Sequence, residues 1–242
     1  MQKLGEKLWI FDTPFKLFGA DFGNRMTVAQ LPNNSLFVHS PVALNLKIYA
    51  ELSTLGLIST ISTIVTPNCF HGLFIDDWLD AFPNAEYFAP ANVKAPTRAA
   101  PNLINEKSLA RWAPDIKAIR VEGIPKLSEY AFFHEPSKSL ILTDLAFNIG
   151  THVSLWSKLF FSLNGAYRKF GPSRLLRSMI EDHVALKDSL SEILAWDFQH
   201  IVVSHGQVVS EQATHVFEHG FEACFDNALE TRAKTRIDAP AR

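Results

Sequence analysis

The chain has 242 residues, with 23 lysines and arginines against 25 aspartates and glutamates, for a formal net charge of −2. Apolar residues at 47% and charged residues at 20% exclude a disordered chain, and the near-neutral balance argues against a nucleic-acid binder working through bulk charge. No stretch approaches the roughly 18 consecutive apolar residues of a membrane-spanning helix, so no transmembrane segment is expected.

In chain order, Met1 to Phe15 holds Glu6 and Asp12 and lacks an apolar core, so no secretory signal is expected there. Gly23–Leu31 and Ser35–Ser40 read as paired strands, with turn chemistry at Pro32-Asn33-Asn34. Leu44, Ile48, Leu52 and Leu55 fall at helical spacing, and Gly56 follows as a stop. Ile61–Thr66 is a short β-branched strand; Phe74–Phe82 is helical, Ala85–Ala89 and Lys117–Val121 are strands. Glu129–His134 and Ser139–Thr143 make a second hairpin around Glu135-Pro136-Ser137. Ser154 to Trp196 is mainly helical, broken at Gly171-Pro172; Phe198–Ser204 is the last strand, and a closing helix spans about Ser210 to Arg232. The pattern predicts an α/β (α+β layered) protein, a single domain over residues 1–232 with a helical cap at about 150–195 and a frayed polar tail at 233–242. Two cysteines, Cys69 and Cys224, are too few for a disulfide framework and point to a reducing, cytoplasmic setting.

Four strands end in residues capable of chemistry: Val38 leads to His39, Val65 to Thr66-Pro67-Asn68 and His71, Leu142 to Thr143-Asp144, and Val203 to Ser204-His205-Gly206. Loops after the carboxyl ends of strands gather at one edge of a layered α/β fold and build its ligand site. His39, His71, Asp144 and His205 can therefore meet although they lie far apart in sequence. Two imidazoles and a carboxylate suit a divalent first-row metal with positions left for water or substrate. The plainer alternative is a set of separately satisfied polar strand ends.

Three segments carry a resemblance: Ile64-Val65-Thr66-Pro67-Asn68-Cys69-Phe70-His71-Gly72, Leu142-Thr143-Asp144-Leu145-Ala146-Phe147 and Ile201-Val202-Val203-Ser204-His205-Gly206. Their order resembles that of the metallo-β-lactamase-like superfamily. Pro67-Asn68 with His71, Trp196-Asp197-Phe198 and His205-Gly206 resemble more closely a branch of unknown function within it. The resemblance runs from about Trp9 to about Phe225 and implies an αββα sandwich with its site at one edge of the two sheets.

Departures from the superfamily pattern shape the expectation. The signature His-x-His-x-Asp-His aligns on Thr66 to His71, where only His71 is kept; Thr66 and Asn68 stand at two first-metal positions and Ile124 at the third. The first metal position is therefore expected to be lost. The second retains His71, Asp144 and His205, with Phe70 in place of the aspartate that positions the attacking water. A positioned base contributes roughly 10²–10⁴ in rate, so a two-metal hydrolase is not expected. What the resemblance leaves is at most one divalent metal (Zn, Fe or Mn) on His71, Asp144 and His205.

His39 and Asn68 are candidates to line the vacant half, His39 as a substitute ligand or as a buried histidine bonded to backbone, Asn68 as an oxyanion donor or an ordinary turn residue. His134, beside a turn, is expected at the surface, and Cys69 as a small apolar filler. Leu145–Ile180 carries Lys158, Arg168, Lys169, Arg174 and Arg177 and no acidic residue, interleaved with Trp156, Phe160, Phe161, Tyr167 and Phe170. Either it is a cationic aromatic lid that draws anions or touches a membrane surface, or an amphipathic cap with its aromatic face inward. Two functions remain: a metal-dependent hydrolase or lyase of a small molecule, and a non-catalytic protein holding a small anion in the same crevice. The aromatic surplus also allows a self-association face, and hence a homo-oligomer.

Overall fold

Alternating apolar positions and one well-built turn start the first sheet. Asn33 Oδ1 accepts from the backbone N–H and the hydroxyl of Ser35, at 3.0 and 2.7 Å, and Asn34 takes φ +64°. This local turn folds β5 (Asn24–Gln30) back on β6 (Leu36–His39) in antiparallel register, Val28 opposite Val38. In this computed structural model, residues 1–237 are described except 57, 94–96 and 98, and for 227–237 the backbone alone.

The seven-stranded sheet runs β1 (Gln2–Gly5), β2 (Leu8–Thr13), β5, β6, β7 (Ile61–Val65), β8 (Glu86–Ala89), β9 (Asn102–Leu103). A second sheet of four runs β10 (Ile116–Arg120), β11 (Tyr130–His134), β12 (Ser139–Leu142), β15 (His200–Val203). Two small ribbons complete the strands: β3 (Lys16–Leu17) with β4 (Ala20–Asp21), and β13 (Phe147–Asn148) with β14 (Phe170–Gly171). Helices α1 (Leu46–Ser53) and α2 (Ile75–Ala81) bury Ile48, Leu52, Ile75 and Trp78 on the outer face of the first sheet. Helices α5 (Arg174–Ser178), α6 (His183–Leu194) and α7 (Ala213–Ile237) cover the second, through Leu176, Leu190, Ile193 and Phe217. Between the sheets Phe37, Phe132 and Trp112 of α3 (Glu106–Trp112) are fully buried, with the Phe37 and Trp112 rings edge-on at 5.0 Å. Each such side chain contributes roughly 1.5–3 kcal/mol by leaving water. The layers are helix, sheet, sheet, helix: the αββα sandwich that the resemblance implied.

Two parallel pairings set where the loops beyond the strands emerge. His39 of β6 lies beside Val65 of β7, and Leu142 of β12 beside Val203 of β15. The segments after β6 and β7 therefore leave the first sheet at one edge. Asp144 and His205, each two residues beyond the Leu142–Val203 pair, leave the second together. Backbone bonds from Tyr130 N–H to Pro67 O (2.9 Å) and Cys69 N–H to Leu127 O (3.0 Å) bind the two edges to each other.

Several expectations need correction. The N-terminal hairpin β1–β2 and helix α3 lie in stretches for which no element is predicted; α3 is set by Asn105, whose side chain accepts from Lys107 and Ser108 in a reciprocal capping box. His134 is not at the surface: its position opposite Ile116 and Ser139 encloses it, and its Nδ1 lies 2.7 Å from Ser137 Oγ. The closing helix continues to Ile237, through the first half of the segment expected to fray; residues 238–242 lie outside those described.

Candidate metal centre

Each side chain at the shared edge is held by a different stretch of chain. Asn68 ends a short turn after β7, its Oδ1 accepting from the backbone of Phe70 (2.8 Å) and His71 (3.0 Å). That turn fixes the direction in which His71 leaves the loop. Ser40, at φ +55° beyond β6, places its hydroxyl 2.7 Å from His71 Nδ1. On the other sheet, buried Glu129 accepts from the backbone N–H groups of Thr143, Asp144 and Leu145 at 2.7, 2.8 and 3.1 Å. One carboxylate thus clamps the loop that carries Asp144. His205 Nδ1 lies 2.7 Å from the carbonyl of Gly23, while Phe147 stacks on its ring and Phe22 meets it edge-on.

The result is a convergence on Asp144. His71 Nε2 lies 3.2 Å from Asp144 Oδ2, and His205 Nε2 lies 3.3 Å from Asp144 Oδ1. Among the described residues, His71, Asp144 and His205 form the one group of three or more such side chains whose ligand atoms all lie within 4.8 Å of one another. Two ligands each about 2.1 Å from one tetrahedral ion stand about 3.4 Å apart, so the observed separations suit a shared cation. The tautomer of His205 agrees. A carbonyl only accepts, so His205 Nδ1 carries the proton and donates to Gly23, which leaves Nε2 with a lone pair facing a carboxylate. Such a pair of acceptors is stable only with a proton or a metal ion between them. Histidine ligands anchored at the far nitrogen by a carbonyl or hydroxyl are the usual supporting arrangement.

The titrations express the same field. Burial opposes a charge on His71, but the carboxylate of Asp144, with Glu129 behind it, holds its pKa above the ordinary value. Burial would likewise push Asp144 up, yet His71 and His205 hold it well below the usual carboxylate range. Glu129 is pushed up by burial and by the charge of Asp144.

The two supporting candidates, His39 and Asn68, are both enclosed. Asn68 is fully buried and its amide is spent, donating to Glu129, Thr143 and Asp144 at 3.0, 2.9 and 2.9 Å. It orients the loop and does not line the cleft. His39 is enclosed too, edge-on against Phe132, and its Nε2 has no hydrogen-bond partner. Burial, and then the nearby His71, push its pKa down to about 3. Thr66 is buried beneath Tyr87, and Ile124 sits in the apolar core, so neither offers a ligand. Phe70, at the position where the superfamily pattern has a carboxylate, stands 52% exposed at the rim. Glu129, Ser40 and the Gly23 carbonyl were not singled out in sequence; the only signal was a Glu directly before the apolar run of β11 and a Ser directly after His39.

A cleft of about 160 Å3 opens over His71, Asp144 and His205, walled by Phe15, Leu17, Phe22 and Phe74. None of Lys158, Arg168, Lys169, Arg174 and Arg177 lines it. Arg168, Lys169 and Arg177 line a separate groove against α7, and Arg174 donates to Leu163 O. Of the aromatic residues of this segment Phe161 is buried and Phe160, Tyr167 and Phe170 are half-buried, whereas Trp156 is 50% exposed beside the exposed Leu155 and Leu159.

Residues 5–159 match the family described as Domain of unknown function (DUF4336). No protein of curated function matches the sequence. Solved structures do. A metallo-β-lactamase from Erythrobacter litoralis with β-mercaptoethanol in its active site is similar at TM-score 0.63 and 14% identity, over 95% of each chain. FIM-1 from Pseudomonas aeruginosa, in a mono-zinc form, is similar at 0.62 and 12%, over 92% of this chain and 93% of that one. The metal-soaked Flv1 flavodiiron core from Synechocystis is similar at 0.61 and 8%; the match spans 92% of this chain but 59% of the flavodiiron chain. These likenesses establish the metallo-β-lactamase fold.

Proposed function

Because the chain belongs to the DUF4336 family of unknown function and has the metallo-β-lactamase fold, we propose that it is a mononuclear metal-dependent hydrolase of a small molecule. One observation carries this reading: two imidazole nitrogens converge on the two oxygens of one carboxylate, each imidazole anchored at its other nitrogen. His71, Asp144 and His205 would hold a single divalent ion (Zn, Fe or Mn). Such an ion, when bound, supplies Lewis acidity and a bound water of lowered pKa.

The chain's own residues do the rest. Ser40 and Gly23 orient the two imidazoles, and Glu129 with Asn68 fixes the carboxylate between them. Phe22 and Phe147 exclude water from one side of His205. Phe70 provides no proton acceptor, and Asp144, the one carboxylate lining the cleft among the described residues, is held well below the usual carboxylate range and is a weak base. Elemental analysis of protein purified without chelator tests the reading. About one equivalent of Zn, Fe or Mn, lost in His205→Ala, is the expected result; no metal in the parent protein refutes it.

A further inference from the structure

Behind the cleft lies a second, larger space. A chamber of about 330 Å3 shares Leu17, Phe22, Phe70 and Asp144 with it, so the two adjoin at the carboxylate. That volume is within the roughly 300–1,000 Å3 of small-molecule sites. Its inner wall is apolar and deeply buried: Leu127, Phe161, Ala166 and Leu176. The polar groups that reach it are engaged at home. Ser173 caps α5 by accepting from Leu176 N–H, and Asn164 Nδ2 donates to Phe160 O at 2.9 Å. Asp144, at the junction with the cleft, is the only charged residue lining it among the described residues. The mouth is apolar as well, framed by Phe18 of the β3–β4 ribbon and by Leu175 of α5, 76% and 65% exposed.

We propose that the chamber binds the uncharged apolar arm of the substrate, an alkyl chain or aryl ring of medium length, while the reacting polar group rests at His71, Asp144 and His205. The proposal rests on the mononuclear reading for its reacting end. Charge decides the class. An anionic arm would find no basic side chain along the chamber wall, since Arg168, Lys169 and Arg177 of the cap line a different groove. A cationic arm would find one carboxylate, already paired with two imidazoles. A neutral apolar arm loses nothing on entry and gains the burial of its whole surface.

Titration of the full chain with neutral 1-alkanols from butanol to octanol, followed by calorimetry, tests this without turnover, and benzyl alcohol separates an aryl preference from an alkyl one. Kd is expected to tighten about fourfold per added methylene, equally in protein as purified and after chelator treatment. Leu175→Asp, at the exposed mouth where folding is not at stake, should weaken octanol at least tenfold. Leu155→Asp, on the outer surface of the cap and not in the chamber wall, should leave it unchanged. A flat chain-length series overturns the proposal. So does equal weakening by Leu155→Asp, which would place the alkanol on the outer apolar surface or between two copies of the chain. Metal content tests the mononuclear reading separately: a metal-free protein with an intact series keeps the chamber and loses the chemistry.

Discussion

Glu129 is the residue whose environment is most demanding. Its carboxylate faces three backbone N–H donors, the amide of Asn68 and the hydroxyl of Thr143. Glu129→Gln would turn an NH2 group toward some of those donors while keeping the volume. Breaking a buried, charged hydrogen-bond cluster in this way should cost about 3 kcal/mol, measurable by denaturant unfolding. Metal content should fall with it, because Asp144 loses the clamp that aims it. Unchanged stability would mean that the loop is held by other groups. The same logic explains why His205 sits so rigidly: ring stacking, an edge contact and a carbonyl acceptor leave it one orientation.

At the scale of elements, the strand-to-loop junctions carry the precision. Gly206 follows His205 at the end of β15 with φ +110°, and a Cβ there would lie 2.1 Å from Asn148 O and 2.3 Å from its carbonyl carbon. Backbone cannot yield at such a contact, so Gly206→Ala should destabilise by about 3 kcal/mol or more and displace the β13 segment from His205. Gly56, at φ +68° after α1, has open space around it. Gly56→Ala should cost only the left-handed penalty of roughly 1–2 kcal/mol. Thermal unfolding of the two variants checks the contrast; equal losses would show that conformation, not close approach, fixes Gly206. Helix α1 itself follows from local chemistry, with Asn45 accepting from Ile48 at its start and Ile48 and Leu52 buried one turn apart.

For the whole molecule, part of the acid stability comes from groups that folding keeps neutral. His134 is enclosed where β10, β11 and β12 meet; burial, with Lys7 nearby, pushes its pKa down to about 4. The unfolded chain has this histidine near 6.5, so between about pH 6.5 and 4 the unfolded state binds the extra proton. Stability is therefore full above about 6.5, falls as the pH drops through this window, and levels off below about 4. The loss from this one group is about 3 kcal/mol at most. His134→Asn should flatten that part of the profile, read as unfolding free energy against pH; an unchanged slope would assign it to other groups.

The alternation of Ile61–Val65 and Ser139–Leu142, the Asn33-Asn34 turn and the spacing of Leu44 to Leu55 could be read from neighbours along the chain, and so could the polar residues that close four strands. These features depend on local sterics and on which positions shed water. The shared position of His71, Asp144 and His205 depended on something else: two parallel registers and the hydrogen bonds that join one sheet edge to the other, contacts between segments remote in sequence. Glu129, Ser40 and Gly23 acquire their roles only across that junction. The enclosure of His39, His134 and Asn68, and the turning of the cap's basic side chains away from the cleft, were likewise decided in three dimensions. A side chain's burial is fixed by what packs against it, and its own segment does not specify that.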